Sequence, residues 1–480
     1  MKRNVPRGSI TRSSRRIGSW PAPWNRAETG GGRGVHDSDM IPPQRGDDFL
    51  ESTVLWKVTL RLIPFLFLLY VMNILDRVNV GFARLQMLTD LHMSEEVYGL
   101  GSGIFFIGYF LFEVPSNLLL RRTGARRWMA RILISWGIIS ASMMFVTSVW
   151  SFYLLRFLLG LAEAGFFPGI ILYLSYWFPA RRRAHALSRF LTGSAITGIL
   201  GGPFSGAILQ YLSGAAGLAG WQWLFLLEGL PSVVLGFATL YYLTDRPEQA
   251  SWLTQPERAW LAQRMSQEEE YRQQRHGSTL WQTMANPRVW LLCTLYFTLA
   301  MGANSFGLYL PQVLVDHFST AGKFQIGLLT AVPSLVAMGG MMAIAMHSDH
   351  TGERRWHVAL SAFLAAIGWM MVADSRSSWL VLAGLALAQL GMLSTLAPFW
   401  SLPTSFLSGA AAAGGIAMIN SIGNLGGFLA PNVIGQVKAT TGSFSGGFTF
   451  LAVALVGGGF LALCARHEPC PERQSLSNGL

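Results

Sequence analysis

The sequence predicts an all-α polytopic membrane protein, with twelve transmembrane helices in two pseudo-symmetric six-helix bundles. Two observations predict it. The 480 residues are 51% hydrophobic and only 13% charged, with a mean hydropathy of +0.38. Their apolar residues gather in blocks near the ~20 residues that cross a ~30 Å hydrocarbon core at 1.5 Å per residue. The second observation is a repeat. "TGARRW" (123–128) returns as "TGERRW" (351–356), 228 residues on, and the pairs Gly99/Gly327 and Pro203/Pro431 keep that offset. Anchors in three different blocks at one spacing imply two related halves.

Residues 1–52 are rich in Arg, Ser, Gly and Pro and are expected to be a disordered basic tail. "SSRRIG" superficially resembles a twin-arginine signal, but "SWPAPWNRAETGGG" follows where an apolar stretch belongs, which excludes it. The N-terminal bundle, 53–243, carries apolar blocks near 58–83, 97–120, 129–148, 150–178, 187–212 and 221–243. A polar linker, 244–286, follows with "DRPEQASWLTQPERAWLAQRMSQEEEYRQQRHGS". The C-terminal bundle, 287–466, has blocks near 288–315, 325–347, 356–374, 378–405, 408–436 and 443–465, before a short tail, 467–480.

Arginines fix the expected orientation. Arg121, Arg122, Arg126 and Arg127 follow the second block, Arg181, Arg182 and Arg183 the fourth, and Arg354 and Arg355 the eighth. Loops after the third and fifth blocks have no Lys or Arg. Positively charged loops stay inside, which places the linker and both termini in the cytoplasm of a bacterial inner-membrane protein. The same distribution explains the net charge of +11 without a nucleic-acid partner.

Other classes lack their signatures. Cys293, Cys464 and Cys470 have no metal-ligand spacing and form no disulfide framework. There is no P-loop, no His/Glu metal motif and no G-x-S-x-G elbow, so no catalytic residues, metal or cofactor are expected. A membrane sensor needs an output domain, for which the linker is too short and too charged. A transporter in the lipid bilayer is the expectation that these exclusions leave.

Four ionisable residues sit deep in apolar blocks: Asp76, Arg77, Arg156 and Glu163. Charges at such depth face a cavity and carry function, with a static ion pair as the competing reading. Tyr70, Asn73, Asp76 and Arg77 are spaced to share one broad helix face, and Arg156 and Glu163 lie two turns apart on another. Counting ~22 Å outward from Arg61 and ~9 Å inward from Trp150 puts Asp76 and Arg156 at similar depth. A small organic anion would compete with the carboxylates for Arg77, making bidentate contacts, while Asp76, Glu163 and Arg156 couple binding to protons. Tyr70 and Asn73 are expected beside Arg77 in the substrate site.

The second half offers amides. "INSIGNLGGFLAP" (419–431) places Asn420 and Asn424 on one helix face, to bond substrate hydroxyls or to join helices. "WSLPTSF" (400–406) is expected to bend at Pro403 and expose Ser401 and Thr404. Glu113 and Glu228 lie towards block ends, where a structural role is expected.

The strings "LDRVNVGFA", "YGLGSGIFFIGYFLFEVPSNLLLRRTGARRW", "LRFLLGLAEAGFFPGIILYLSYWFP" and "WQWLFLLEGLPSV" resemble the anion:cation symporters of the major facilitator superfamily. The likeness runs from about residue 55 to 465 and is strongest to the bacterial tartrate, phthalate, hydroxyphenylacetate and sugar-acid permeases. It implies proton-driven import of an organic anion. It further implies protonation at Asp76 and Glu163, a substrate carboxylate on Arg77, and substrate contacts from Tyr109 and from Asn424, with Asn420 second. Many relatives carry Trp-Leu-Pro-Gln in the seventh span where this chain has Tyr309 in "YLPQ", which makes Tyr309 a candidate for substrate choice. "GSAITGILGGPFSG" (193–206) resembles instead the fifth-span motif of drug/proton antiporters. Export of small amphiphiles is therefore the alternative; packing of Gly198, Gly202, Pro203 and Gly206 against a neighbouring helix is the structural explanation.

Overall fold

Backbone amides inside a bilayer must bond to one another, so an apolar block of spanning length forms a helix. A computed structural model of the chain, which describes residues 45–274, 285–406 and 409–465, has helices and no strand among those residues. The first half contains α1 (Arg45–Asp90), α2 (Glu95–Thr123), α3 (Ala125–Ser142), α4 (Val149–Glu163), α5 (Phe166–Trp177), α6 (Ala180–Leu191), α7 (Gly193–Tyr211) and α8 (Gly220–Tyr242). The linker holds α9 (Gln255–Gln274). The second half contains α10 (Pro287–His317), α11 (Lys323–Thr351), α12 (Arg355–Asp374), α13 (Ser378–Phe406), α14 (Gly409–Asn424), α15 (Gly426–Thr441) and α16 (Ser445–Cys464).

From Leu50 onward the described residues form one compact unit; the preceding unit, Met1–Phe49, is described only at 45–49. α1 therefore begins inside the segment expected to be tail. The rest of that tail, and the expected tail 467–480, lie outside the described residues. α13 runs through Pro403 as one helix, and the Thr404 side chain lies outside the described residues.

Among the described residues, ten stretches are long and apolar enough to cross a membrane, α4 and α5 counting together as Val149–Trp177. The expected fifth and eleventh spans fall short for different reasons. α7 is diluted by Gly, Ser, Thr and Pro, whereas the eleventh is divided at Leu425 into α14 and α15, each of 16 residues.

The break between α4 and α5 follows from "EAGFFPG". Pro168 has no N–H to donate, and its ring would strike the carbonyl four residues back, at Ala164. The chain turns that carbonyl out of the helix: Ala164 takes ψ 134° and Gly165 the left-handed φ of 86°. The freed Ala164 oxygen accepts the Ser116 hydroxyl at 2.7 Å, and Ser116 in turn accepts Trp128 Nε1 at 3.0 Å. Glu163 is thereby the last residue of α4, beside a kink rather than within a rigid rod.

Packing repeats between the halves. α3 lies on α8 and α2 on α4, as α12 lies on α16 and α11 on α13. Two seams join the halves, α2 with α15 and α7 with α11. The sequence anchors sit in these seams. Gly99 packs on the Pro431 carbonyl, and Gly327 packs on Gly202 and Pro203, so each seam is built from one glycine and one proline of the repeat. Along the first seam the contacts step antiparallel, from Gly99 with Gly435 to Gly103 with Phe428. Both seams begin at the ends of α2 and α11 that meet the loops 91–94 and 318–322, which lack arginine. At the arginine-rich end, Lys57 Nζ reaches Glu257 at 2.5 Å and Arg183 reaches Glu268 at 3.0 Å, holding α9 to α1 and α6.

Candidate functional site

Residues 76 and 77 follow one another on α1, so their side chains leave the helix about 100° apart. That angle decides their partners. Arg77 turns towards α4 and α2. Its Nη2 forms an ion pair with Glu163 Oε1, and its Cζ lies 5.3 Å from the Tyr109 ring centroid and 5.4 Å from that of Phe105. The Arg77 side chain remains 24% exposed while Glu163 is 1% exposed. Arg77 Nε and Glu163 Oε2 each lack a hydrogen-bond partner.

Asp76 turns the other way, into the interior of the first half. It accepts Trp136 Nε1 at 2.6 Å, Ser140 Oγ at 2.7 Å, Ser232 Oγ at 2.9 Å and Asn79 Nδ2 at 3.3 Å. These donors come from α3, α8 and α1 itself. The shared face expected for Tyr70, Asn73, Asp76 and Arg77 therefore divides, and Asp76 does not meet Arg156. Arg156, 1% exposed, donates to the Ser102 carbonyl at 3.3 Å and lies 4.9 Å from the Phe105 ring. Its Nε and Nη1 have no partner. Two guanidinium groups thus flank Phe105, with Glu163 within electrostatic reach of both.

Tyr109 and Asn73 are buried, and Asn73 Nδ2 is unpartnered. Tyr70 packs on Phe190, ring centroids 4.3 Å apart, within electrostatic reach of Arg77. Asn420 and Asn424 are both buried on α14. Ser401 donates its hydroxyl to the Ala397 carbonyl at 3.0 Å. Tyr309 belongs elsewhere: its hydroxyl donates to the Pro431 carbonyl at 3.0 Å, and its ring lies 5.8 Å from Tyr98 and 5.6 Å from the Arg84 guanidinium. Arg84 is itself buried and ion-paired with Glu95 at 2.5 Å. Tyr309 is therefore part of the seam at the arginine-poor end rather than a neighbour of Arg77.

Two expectations need correction. Glu113 is fully buried, and it accepts Asn420 Nδ2 and Ser421 Oγ, each at 2.5 Å, across the boundary between the halves. Apolar pattern placed it near a span end, but α2 continues to Thr123. Glu228 is buried as well, accepting Ser205 Oγ at 2.6 Å. Sequence reasoning also missed Tyr296 of α10, which lies 5.0 Å from both the Phe399 and Trp400 rings and within electrostatic reach of Arg77 and Glu113. Its signal was a tyrosine in the middle of an apolar run.

The arrangement brings Arg77, Tyr109 and Glu163 of one half towards Glu113, Tyr296 and Asn420, the last two from the other half. Two hollows, of about 670 and 380 Å³, lie instead on the second half around Met370 and around Lys438. No group of three His, Cys, Asp or Glu able to hold a metal occurs among the described residues.

The profile of the Major Facilitator Superfamily matches residues 66–431, which run from α1 into α15 and include every charged residue of the site. The chain belongs to the Major Facilitator Superfamily. Within this superfamily it is 51% identical over 407 residues to a protein of Agrobacterium vitis named "Putative tartrate transporter", covering 85% of this chain and 93% of that one. It is 41% identical to the "Quinolone resistance transporter" of Acinetobacter baumannii, covering 85% and 94%. Among solved structures, a D-xylose-proton symporter superposes with a TM-score of 0.66 at 15% identity, covering 86% of this chain and 98% of that one. That likeness concerns the fold. The chain is a multi-pass membrane transporter of that superfamily, and not an enzyme.

Proposed function

We propose that this transporter imports a small organic anion, of the hydroxy-dicarboxylate kind exemplified by tartrate, together with protons. The observation that carries the reading is the Arg77–Glu163 pair. It is a buried ion pair between α1 and α4 in which the arginine keeps partial exposure and an unused N–H. A carboxylate substrate competes with Glu163 for the guanidinium, and the displaced Glu163 is the group that takes the proton. Binding and protonation are thereby linked in one exchange. Tyr109 borders the arginine, and Asn424 and Ser401 offer amide and hydroxyl groups from the second half. Asp76 holds a second, fully bonded carboxylate beside the pair, and Arg156 adds positive charge behind Phe105.

Alternating access follows in this reading from rocking of the halves about the two glycine-proline seams, closed at the arginine-poor end. The positive-inside distribution orients that end outward in a bacterial inner membrane, with both termini inside. The protein works as a monomer on the proton gradient, with no cofactor.

Export of amphiphiles is the second reading, favoured by the name of the Acinetobacter baumannii relative. Its sequence motif has a packing explanation here, since Gly198, Gly202 and Gly206 each press on α11, at Ser334, Gly327 and Lys323. Uptake of radiolabelled carboxylates into proteoliposomes, at two values of an inward proton gradient, separates the readings. Import predicts gradient-dependent accumulation of at least one carboxylate. No accumulation, with dyes expelled from cells that express the protein, would sink it.

A further inference from the structure

Glu113 is a carboxylate buried in the boundary between the halves, and its hydrogen-bond donors are neutral. Asn420 Nδ2 and Ser421 Oγ, both on α14, hold its two oxygens at 2.5 Å each. Burying an anion is costly unless it is bonded, and short bonds of neutral donors to a charged acceptor are about twice as strong as neutral pairs. On α2, Glu113 lies fourteen residues beyond Gly99, about 21 Å further from the arginine-poor end. This contact joins the halves at a level that the Gly99 seam does not reach. It also occupies the amide that offers hydrogen bonds to a ligand.

The parallel with Glu163 is direct. In each half a polar donor faces the central region, Arg77 in the first and Asn420 with Ser421 in the second. Each donor already binds a carboxylate of the protein. Glu163 comes from the same half as Arg77, whereas Glu113 comes from the half opposite its donors. Displacing Glu113 therefore does two things at once: it exposes the Asn420–Ser421 pair and it unfastens α2 from α14.

We propose that Glu113 is a tethered stand-in for the polar end of the substrate, a specificity residue that a carboxylate or hydroxyl oxygen of the ligand must replace on Asn420 and Ser421. This rests on the organic-anion reading of the same site. A purely structural Glu113 and a tethered competitor predict opposite signs. Removing a scaffold weakens ligand binding; removing a competitor strengthens it.

The test pairs two measurements on the full-length protein. The first is the affinity for L-tartrate in wild type, Glu113→Gln and Glu113→Ala, by titration calorimetry. Affinity should rise in that order, at least threefold for Glu113→Ala, and should fall in Asn420→Ala. Glu113→Gln keeps the shape and one acceptor oxygen but puts an NH2 group, which cannot accept from Asn420 or Ser421, in place of the other, so it carries the same sign if Glu113→Ala does not fold. The second needs no ligand: the maleimide labelling rate of Asn117→Cys, one turn further along α2, with Cys293, Cys464 and Cys470 replaced by serine. It should rise at least threefold with either Glu113→Ala or Asn420→Ala, and no further with both, because both break one contact. Weaker or unchanged tartrate affinity in both Glu113 variants, with wild-type binding intact, would overturn the stand-in and leave the anion reading standing. Faster labelling without carboxylate binding in any variant would overturn both.

Discussion

Arg77 and Glu163 form a buried ion pair that leaves one nitrogen and one oxygen unsatisfied, Arg77 Nε and Glu163 Oε2. A static structural pair in a low-dielectric setting gains from saturating every donor and acceptor. This one stops short, as a pair that exchanges partners would.

The first prediction concerns the arginine. Lysine keeps the charge but loses the planar fork that grips a carboxylate through two parallel bonds. Arg77→Lys should lower carboxylate affinity at least tenfold, about 1.4 kcal/mol. Equilibrium binding checks it, and wild-type affinity in the variant would remove Arg77 from the substrate site.

Glu163→Gln tests the coupling. The glutamine still fills the space at the end of α4 but cannot exchange a proton at that position. Uptake driven by a pH gradient should be lost, while exchange of labelled for unlabelled anion at equal pH persists. Full gradient-driven uptake in this variant would take Glu163 out of the proton pathway.

Asp76 has four donors on two carboxylate oxygens, and Asp76→Asn exchanges one acceptor oxygen for an NH2 group, which leaves either Trp136 Nε1–H or Asn79 Nδ2–H, groups that only donate, without that acceptor. Each buried polar group left without a partner costs about 1–3 kcal/mol. Thermal unfolding in detergent should show a clear loss of stability. Gradient-driven uptake should fall as well if Asp76 carries a proton; unchanged uptake beside the lost stability would make it structural.

A methyl group at Gly99 would meet the Pro431 carbonyl, and one at Gly327 would meet Gly202. Overpacking of this kind costs about 1–3 kcal/mol. Gly99→Ala and Gly327→Ala should each shift the protein towards opening at the arginine-poor end, measured as longer spin-label distances across it. Equal distances in wild type and both variants would show that the seams do not set the closed state.

Lys57 holds the Glu257 carboxyl below the ordinary glutamate range, with the Thr254 amide adding to the effect. A depressed folded value gives a contribution that is complete above the unfolded value, about 4.3, and fades only as pH falls further. The tether of α9 should therefore be constant between about pH 6 and 8. Uptake profiles of wild type and Glu257→Gln should run parallel over that interval, and any divergence there would contradict this assignment.

The charged residues of the site were legible because a single ionisable side chain stands out in an apolar run. Their partners were not. Spacing placed Asp76 and Arg77 on one broad face, yet a 100° step sends one to Trp136 and the other to Glu163. Glu113 escaped notice for a different reason. Its donors lie more than 300 residues away in sequence, and the end of an apolar block is a poor guide to where a helix ends. The kink after Glu163 was written in Gly165 and Pro168, although a continuous hydropathy block hid it. The repeat gave more than its count of helices, since its glycines and prolines are the residues that touch between the halves.

Side chains that interlock must leave their rotamers before two surfaces can slide. At Gly99 and Gly327 there is nothing to unlock, because bare backbone rests on bare backbone. Such a joint behaves as a smooth bearing: its resistance to tilting is low and nearly independent of direction. If the halves turn about these seams, as the proposed transport cycle requires, the polar contacts at the centre rather than side-chain interlocking at the seams govern the speed of each turnover.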